Sequence, residues 1–298
     1  MSPGRSRLGE VRDFLIHLRP HYQLLVLPGG YLLGGLYAQS IDFKRFLAMF
    51  IVVHLLLNGG VTAYNSYFDD DDGPIGGLAQ PPKMTRWMLP ASMAVQVTGL
   101  GWAARSEGAL FLALYLGTMG LSVLYSTNGI RWKGRPLLSF LAVGIGTGTN
   151  TYWMGYLAAS GDSGLPWEVL AGGLGTAGLL LSLYPVSQVF QLEEDQRRGD
   201  RTFASTYGLR GVRRLYASAY PLGLLAVVAS LATRRPEVAA VFLGLGAIGG
   251  LYNGWTLFRL QGRPDEYRTV MRLKYLASLG FVAFLVAALA RIALGSGP

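Results

Sequence analysis

The chain has 298 residues, of which 51% are hydrophobic and only 14% charged, with 41 glycines, no cysteine and a net charge of +9. A soluble chain of this size carries about a quarter charged residues, so an ordinary soluble globular protein is excluded. The missing cysteines exclude disulfides and thiolate chemistry, and the positive balance needs no nucleic acid, because a basic rim facing anionic headgroups accounts for it.

Residues 1–20, "MSPGRSRLGEVRDFLIHLRP", have no uninterrupted apolar core followed by a small-residue cleavage site, which reads against a signal peptide. They are expected to form a short amphipathic helix on the membrane surface, with Phe14, Leu15 and Leu18 on its apolar side. Nine apolar blocks follow: Tyr22–Gln39, Phe46–Tyr64, Trp87–Ala104, Ala109–Tyr125, Leu137–Ala159, Val169–Phe190, Leu215–Leu231, Val238–Phe258 and Tyr275–Leu294. Each is close to the roughly 20 residues that a helix needs to cross a bilayer. Pro28-Gly29-Gly30 in the first block is tolerated by a membrane helix. The glycine-rich runs "GIGTGTN" and "AGGLGTAG" lie inside apolar blocks, where small residues allow close helix approach rather than phosphate binding. His54, Asn150, Thr151 and Asn253 are polar positions inside blocks, suited either to an acceptor or to helix–helix hydrogen bonds.

Orientation follows from the lysines and arginines. With nine crossings, all but six of the 26 share the face of the N-terminus and the even-numbered loops; the six are Lys44, Arg45, Arg105, Arg234, Arg235 and Arg291. That face is therefore expected to be cytoplasmic. The predicted fold is one all-α domain over residues 1–298, a polytopic membrane protein with nine transmembrane helices around a central cavity open to the cytoplasmic face. The expected location is an inner membrane of bacterial or archaeal type, with membrane lipids as surroundings.

Two acidic clusters end even-numbered blocks on that face. Asp69–Asp72 close the second, and Glu193, Glu194, Asp195 and Asp200 follow the sixth. Asn65, Asp69 and Asp72 share one helical stripe if the helix continues, and Gln188, Gln191 and Asp195 form a second. Converging carboxylates repel unless cations neutralise them, and Mg²⁺ binds through one or two carboxylates plus substrate phosphates. Lys83, Arg86, Arg131, Lys133, Arg197, Arg198 and Arg201 share these loops and suit a diphosphate.

These segments resemble a known family. "NSYFDDDD" and "QLEEDQRRGDRT" look like the two acidic motifs of the UbiA-type intramembrane prenyltransferase superfamily. "YSTNGIRWKGRP" resembles its tyrosine-led basic loop and "LRPHYQLLVLPGGYLLGG" its first span, so the likeness runs from about Leu18 to about Gly208. The resemblance implies an all-helical enzyme that binds an isoprenyl diphosphate through Mg²⁺ between the motifs. Asn65, Asp69, Tyr125 and Asp195 would be catalytic, and Asn65, Asp69, Asp72, Gln191, Glu194 and Asp195 would form the metal site. Lys83, Arg86, Arg131, Lys133, Arg198 and Arg201 would meet the diphosphate. Gly73 and Gln191 stand where the family carries aspartates, which leaves Asp70, Asp71, Asp72 or Glu194 to substitute.

The chemistry these residues suit is ionisation of an allylic diphosphate to a carbocation in a dry pocket. Aromatic faces stabilise such a cation, and Tyr64, Phe68, Tyr152, Trp153 and Tyr184 are the candidates. The first reading is prenyl transfer to a lipophilic acceptor, aromatic or a quinone precursor. The second is an intramembrane terpene cyclase, which needs no acceptor. The third is a transporter, against which stand the absence of a clear internal repeat and the rim position of the charges.

Overall fold

The computed structural model describes residues 6–70 and 73–295, and within them the chain is helical, with a single isolated bridge between Ile75 and Leu78. Helix α1 (Arg7–His17) starts at Ser6, whose Oγ accepts the Gly9 N–H at 3.2 Å. It is not purely interfacial as expected. Phe14 is buried against Trp87, with ring centroids 5.5 Å apart, and Leu18 packs on the same cluster; Leu15 faces outward with Leu8 and Val11.

Proline opens α2 (Pro20–Leu25), which α3 (Gly29–Tyr37) follows. A residue before proline is pushed out of the right-handed helical region, and here Arg19 is left-handed (φ 51°). That turn sends its guanidinium inward rather than to the rim.

Six helical runs among the described residues are long and apolar enough to cross a membrane: Phe43–Asp69, Ala109–Ser126, Trp167–Arg198, Phe203–Ala232, Pro236–Leu257 and Pro264–Gly295. The first joins α4 (Phe43–Ile51) to α5 (Gly59–Asp69) through a π-helical stretch, Val52–Asn58. The second is α7 (Ala109–Ser126). The third comprises α10 (Trp167–Leu183), a 3₁₀ stretch (Tyr184–Gln191) begun by Pro185, and α11 (Leu192–Arg198). The others contain α12 (Phe203–Ala232), α13 (Pro236–Leu257) and α14 (Tyr267–Gly295). The remaining predicted blocks are helical in shorter pieces: α2 with α3, α6 (Met88–Ala103), and α8 (Pro136–Val143) joined by π-helical Gly144–Thr149 to α9 (Asn150–Ser160).

Connections alternate between the two ends of the bundle. At one end Asp42 N–H donates to Ala159 O, Arg45 Nε lies 3.8 Å from Glu107, and Arg235 donates to Leu36 O and Ala38 O. At the other, Arg131 meets Asp200, Gln191 meets Pro74 O, and Tyr267 meets Ile75 O. Glycines let the rods touch at backbone distance. A Cβ on Gly34 would strike the Tyr152 carbonyl, and one on Gly148 would lie 2.8 Å from Ala177 Cα. The predicted role of the "GIGTGTN" run is therefore observed. Asn150 Nδ2 donates to Thr118 Oγ1 at 3.1 Å, a helix–helix bond rather than an acceptor contact.

Glu107, in the turn between α6 and α7, is buried beside Arg45, and its Oε1 accepts no hydrogen bond among the described residues. Burial pushes its carboxyl from 4.5 up to about 7; Arg45 opposes this and Asp42 adds to it. A raised folded-state value means that this group's stabilisation is complete below the ordinary carboxylate range and disappears as pH rises through about 7. Glu107→Gln should therefore melt at a higher temperature than the parent above pH 7.5, by about 3 °C, what roughly 1 kcal/mol is worth in a chain this long. The two melting temperatures should converge by pH 5; a constant difference across that range would remove Glu107 as its source.

Candidate active site

The runs Phe43–Asp69 and Trp167–Arg198 finish at the same end of the bundle and share one cavity of about 310 Å³. Asn65, Asp69, Tyr125, Lys133, Tyr184, Gln188, Gln191 and Asp195 line its polar part; Val26, Leu27, Val143, Leu180, Leu183, Phe190 and Met271 line its apolar part. Proline at the start of the 3₁₀ stretch interrupts α10 and carries Gln188, Gln191 and Asp195 to the cavity together. All three reach the cavity as the spacing predicts, although Gln188 and Gln191 stand on tightened helix and only Asp195 on the regular α11.

Asp69 is the hub. Its Oδ2 accepts Asn65 Nδ2 at 2.7 Å and Lys133 Nζ at 2.6 Å, and Arg131 Nη1 lies 3.4 Å from its Oδ1. Asn65 is held in turn by Ser126 Oγ at 3.0 Å. The side chain of Asp69 is only 1% exposed, so the two cations supply the compensation that a buried carboxylate requires. Arg131 also grips Asp200 through Nε at 3.0 Å and Nη2 at 2.7 Å. That contact first, and then Asp69, holds the guanidinium well above its ordinary value and fixes it as a cation. Across the cavity Asp195 Oδ2 accepts Thr202 Oγ1 at 2.8 Å, and the hydroxyls of Tyr125 and Tyr184 are 2.9 Å apart.

Several expected residues lie elsewhere. Helix α5 ends at Asp69, where Asp70 turns left-handed (φ 43°), so the acidic stripe stops before Asp72, which lies outside the described residues, as does Asp71. Lys83 is exposed and pairs with Asp70 at 3.2 Å; Arg86 and Arg201 are exposed and do not line the cavity. Arg198 pairs with Glu194 at 2.8 Å. Glu194 Oε2 leans toward Gly73, within 3.3 Å of where a Cβ there would be. The aromatic set is corrected in part. Tyr184 lines the cavity, but Tyr152 is packed between α10 and α12 near Gly172 and Ser230, and Trp153 Nε1 donates to Val169 O. Tyr64 bonds Thr127 and carries Phe68 against its ring, 5.0 Å between centroids, away from the cavity lining.

The cavity also holds residues that sequence reasoning passed over: Arg19, Tyr22, Thr202, Lys274 and Ser278. Arg19 counts as a rim charge until the left-handed turn before Pro20 is known. It then donates to Ser66 Oγ at 2.7 Å and Gly76 O at 3.0 Å. Lys274, on α14, lies over the Tyr22 ring at 5.6 Å, and among the described residues no carboxylate pairs with it.

The donor set bears on a metal. Among the described residues no three carboxylate or imidazole groups converge; Asp71 and Asp72 of the acidic cluster read from the sequence lie outside them. What does converge is hard oxygen from Asp69, Asp195 and the amides of Asn65 and Gln191, beside Lys133. That set fits Mg²⁺ carried on phosphate oxygens, which needs only one or two protein carboxylates, and not a dedicated protein cage.

Comparison with known proteins gives a family and a fold. The profile of the UbiA prenyltransferase family matches residues 26–279. Digeranylgeranylglyceryl phosphate synthase of Thermococcus kodakarensis is 26% identical over 295 residues, 95% of this chain and 100% of that protein. Protoheme IX farnesyltransferase of Aeropyrum pernix is 26% identical over 187 residues, 60% of this chain and 56% of that protein. A UbiA homologue from Archaeoglobus fulgidus, solved bound to DMAPP and Mg²⁺, shares the fold, with a TM-score of 0.74 at 16% identity over 93% of this chain and 99% of that one.

Proposed function

This chain belongs to the UbiA prenyltransferase family, and we propose that it moves an isoprenyl group from an allylic isoprenyl diphosphate to a phosphate-bearing lipid acceptor. The observation that carries the reading is Asp69, bridged by Lys133 and Arg131 and facing Asp195 over a cavity whose far walls are apolar. The diphosphate lies at the polar end, with Lys133 taking up its negative charge. The isoprenyl tail lies along Leu180, Leu183 and Phe190. Asp69, Asp195, Asn65 and Gln191, with Glu194 near Gly73, would hold Mg²⁺, which would neutralise charge on the departing diphosphate. Tyr125 and Tyr184 present aromatic faces and paired hydroxyls beside the carbon that loses it. The apolar wall keeps out water that would trap the allylic cation. The three shorter helical runs complete nine crossings, and the basic end, with the cavity mouth, faces the cytoplasm.

Lys274 favours an anionic acceptor over the neutral aromatic first expected. It lines the cavity and lies over the Tyr22 ring, with no carboxylate paired to it among the described residues. A phosphate on the acceptor suits its ammonium. The relatives named as digeranylgeranylglyceryl phosphate synthases, two of them matching nearly the whole chain, support the same choice.

Purified protein with Mg²⁺ and geranyl or geranylgeranyl diphosphate should release diphosphate appreciably only when a prenylated glyceryl phosphate is added, and should yield the ether-linked product. A cyclic hydrocarbon or terpene alcohol made without acceptor would establish a cyclase instead, and solute flux without turnover a transporter. Lys274→Met should raise KM for the phosphate acceptor about tenfold, the loss of one charge-assisted hydrogen bond, with KM for the isoprenyl diphosphate unchanged. Equal losses for both substrates would place Lys274 on the diphosphate.

A further inference from the structure

We propose that Asp200 is a positioning residue: it holds Arg131, and through it the whole basic loop, in the place where Lys133 reaches the diphosphate. The inference rests on the diphosphate reading above. Asp200 does not line the cavity, so it acts through its neighbours and not on substrate.

The asymmetry of the Arg131 contacts carries the argument. One guanidinium serves two carboxylates, but the short two-point grip, 3.0 and 2.7 Å, is on Asp200, and the single contact with Asp69 is 3.4 Å. The planar fork of arginine matches a carboxylate in two-point geometry, so Asp200 is the fixed partner and Asp69 the exchangeable one. Arg131 is itself left-handed (φ 34°), a conformation that a side chain bearing Cβ adopts only when its surroundings hold it there.

Asp200 is well placed to hold it. Gly199 ends α11 in the left-handed region (φ 73°), which turns the chain so that Asp200 N–H donates to Asp195 O at 2.9 Å. Ser205 Oγ donates to Asp200 O at 3.2 Å. From the other side the basic loop leans directly on Asp200. A Cβ at Gly134 would lie 2.9 Å from its Oδ1, and Gly134 O accepts Arg201 N–H at 3.2 Å. Lys133 sits between these anchors, with Nζ on Asp69. The segment after α11 thus sets the loop after α7, and Lys133 and the third arm of Arg131 can pass from Asp69 to a diphosphate while the loop stays in place.

The test is a double-mutant cycle on the full chain in detergent, with Asp200→Asn, Arg131→Ala and the pair, read by calorimetric binding of geranyl diphosphate with Mg²⁺ and by thermal melting. Asp200→Asn should weaken binding about tenfold, at the lower end of what loss of an outer-shell partner costs, and should add nothing in the Arg131→Ala background. Unchanged affinity in Asp200→Asn overturns the proposal, and so does a loss that persists in full without Arg131, which would make Asp200 a direct ligand. If Asp200→Asn does not fold, Gly134→Ala takes its place, because it crowds Asp200 with every charge kept; the same loss is expected, and unchanged binding overturns the proposal. Failure of the parent protein itself to bind geranyl diphosphate would refute the diphosphate reading rather than this one.

Discussion

Asp69→Asn should cost about 10²–10³-fold in isoprenyl transfer, the range for removing one group that stabilises developing charge in a closed site. The change keeps the shape of the side chain and an oxygen for Asn65 Nδ2, so the local hydrogen bond survives. It removes the charge that balances Lys133 and Arg131 and that would hold a divalent ion. Breaking a fully buried pair costs about 3–5 kcal/mol, but Lys133 and Arg131 keep 17% and 22% of their side-chain surface exposed and can turn toward solvent, so the fold should survive with a lower melting temperature. The decisive readout is ligand-linked stability. Mg²⁺ with geranyl diphosphate should raise the melting temperature of the parent protein and leave that of the variant unmoved. A variant that turns over at the parent rate would remove Asp69 from the site.

Much of this site was legible in the sequence because its signals are periodic. Asn65 and Asp69 stand one helical turn apart at the end of an apolar run, and Gln188, Gln191 and Asp195 follow three- and four-residue spacing; each set reaches one cavity. The basic loop was legible for a different reason: Arg131 and Lys133 follow an apolar run directly, and a connection that short keeps its charges near the helix ends. Where reading failed, a local break in periodicity is responsible. The stripe through Asp72 presumes regular helix, and Asp70 ends it. Arg19 looks like a rim charge, and only the left-handed turn found before Pro20 reveals that it points inward. Tyr152 and Trp153 carry no signal that separates a cavity face from a packing face, because α9 has no apolar side set apart from a polar one and its glycine contacts decide which side meets α3 and α10. Lys274 was hidden by distance along the chain. It stands far from every motif, and only the packing of α14 against α2 and α3 brings it to Tyr22.

The two cations on Asp69 have opposite consequences for metal alone and for metal with substrate, and this separates a diphosphate-binding lysine from a merely structural one. With the cavity free of substrate, Lys133 Nζ at 2.6 Å occupies the Asp69 oxygen that a divalent ion would use. Mg²⁺ by itself must displace an ammonium from a buried carboxylate and pay for leaving it in a poorly solvated cavity. Mg²⁺ that arrives on a diphosphate brings the anion that receives Lys133, so the exchange keeps every charge paired. Lys133→Met should therefore lower kcat/KM for the isoprenyl diphosphate by about 10²-fold, as expected for loss of one preorganised cation at the leaving group. The same variant should bind Mn²⁺ alone, followed by electron paramagnetic resonance, more tightly than the parent does. Methionine keeps the length and apolar stem of lysine, so the shape of the cavity wall changes little. A purely structural lysine would weaken both kinds of binding together when removed, and a parallel loss in Lys133→Met would end the exchange argument.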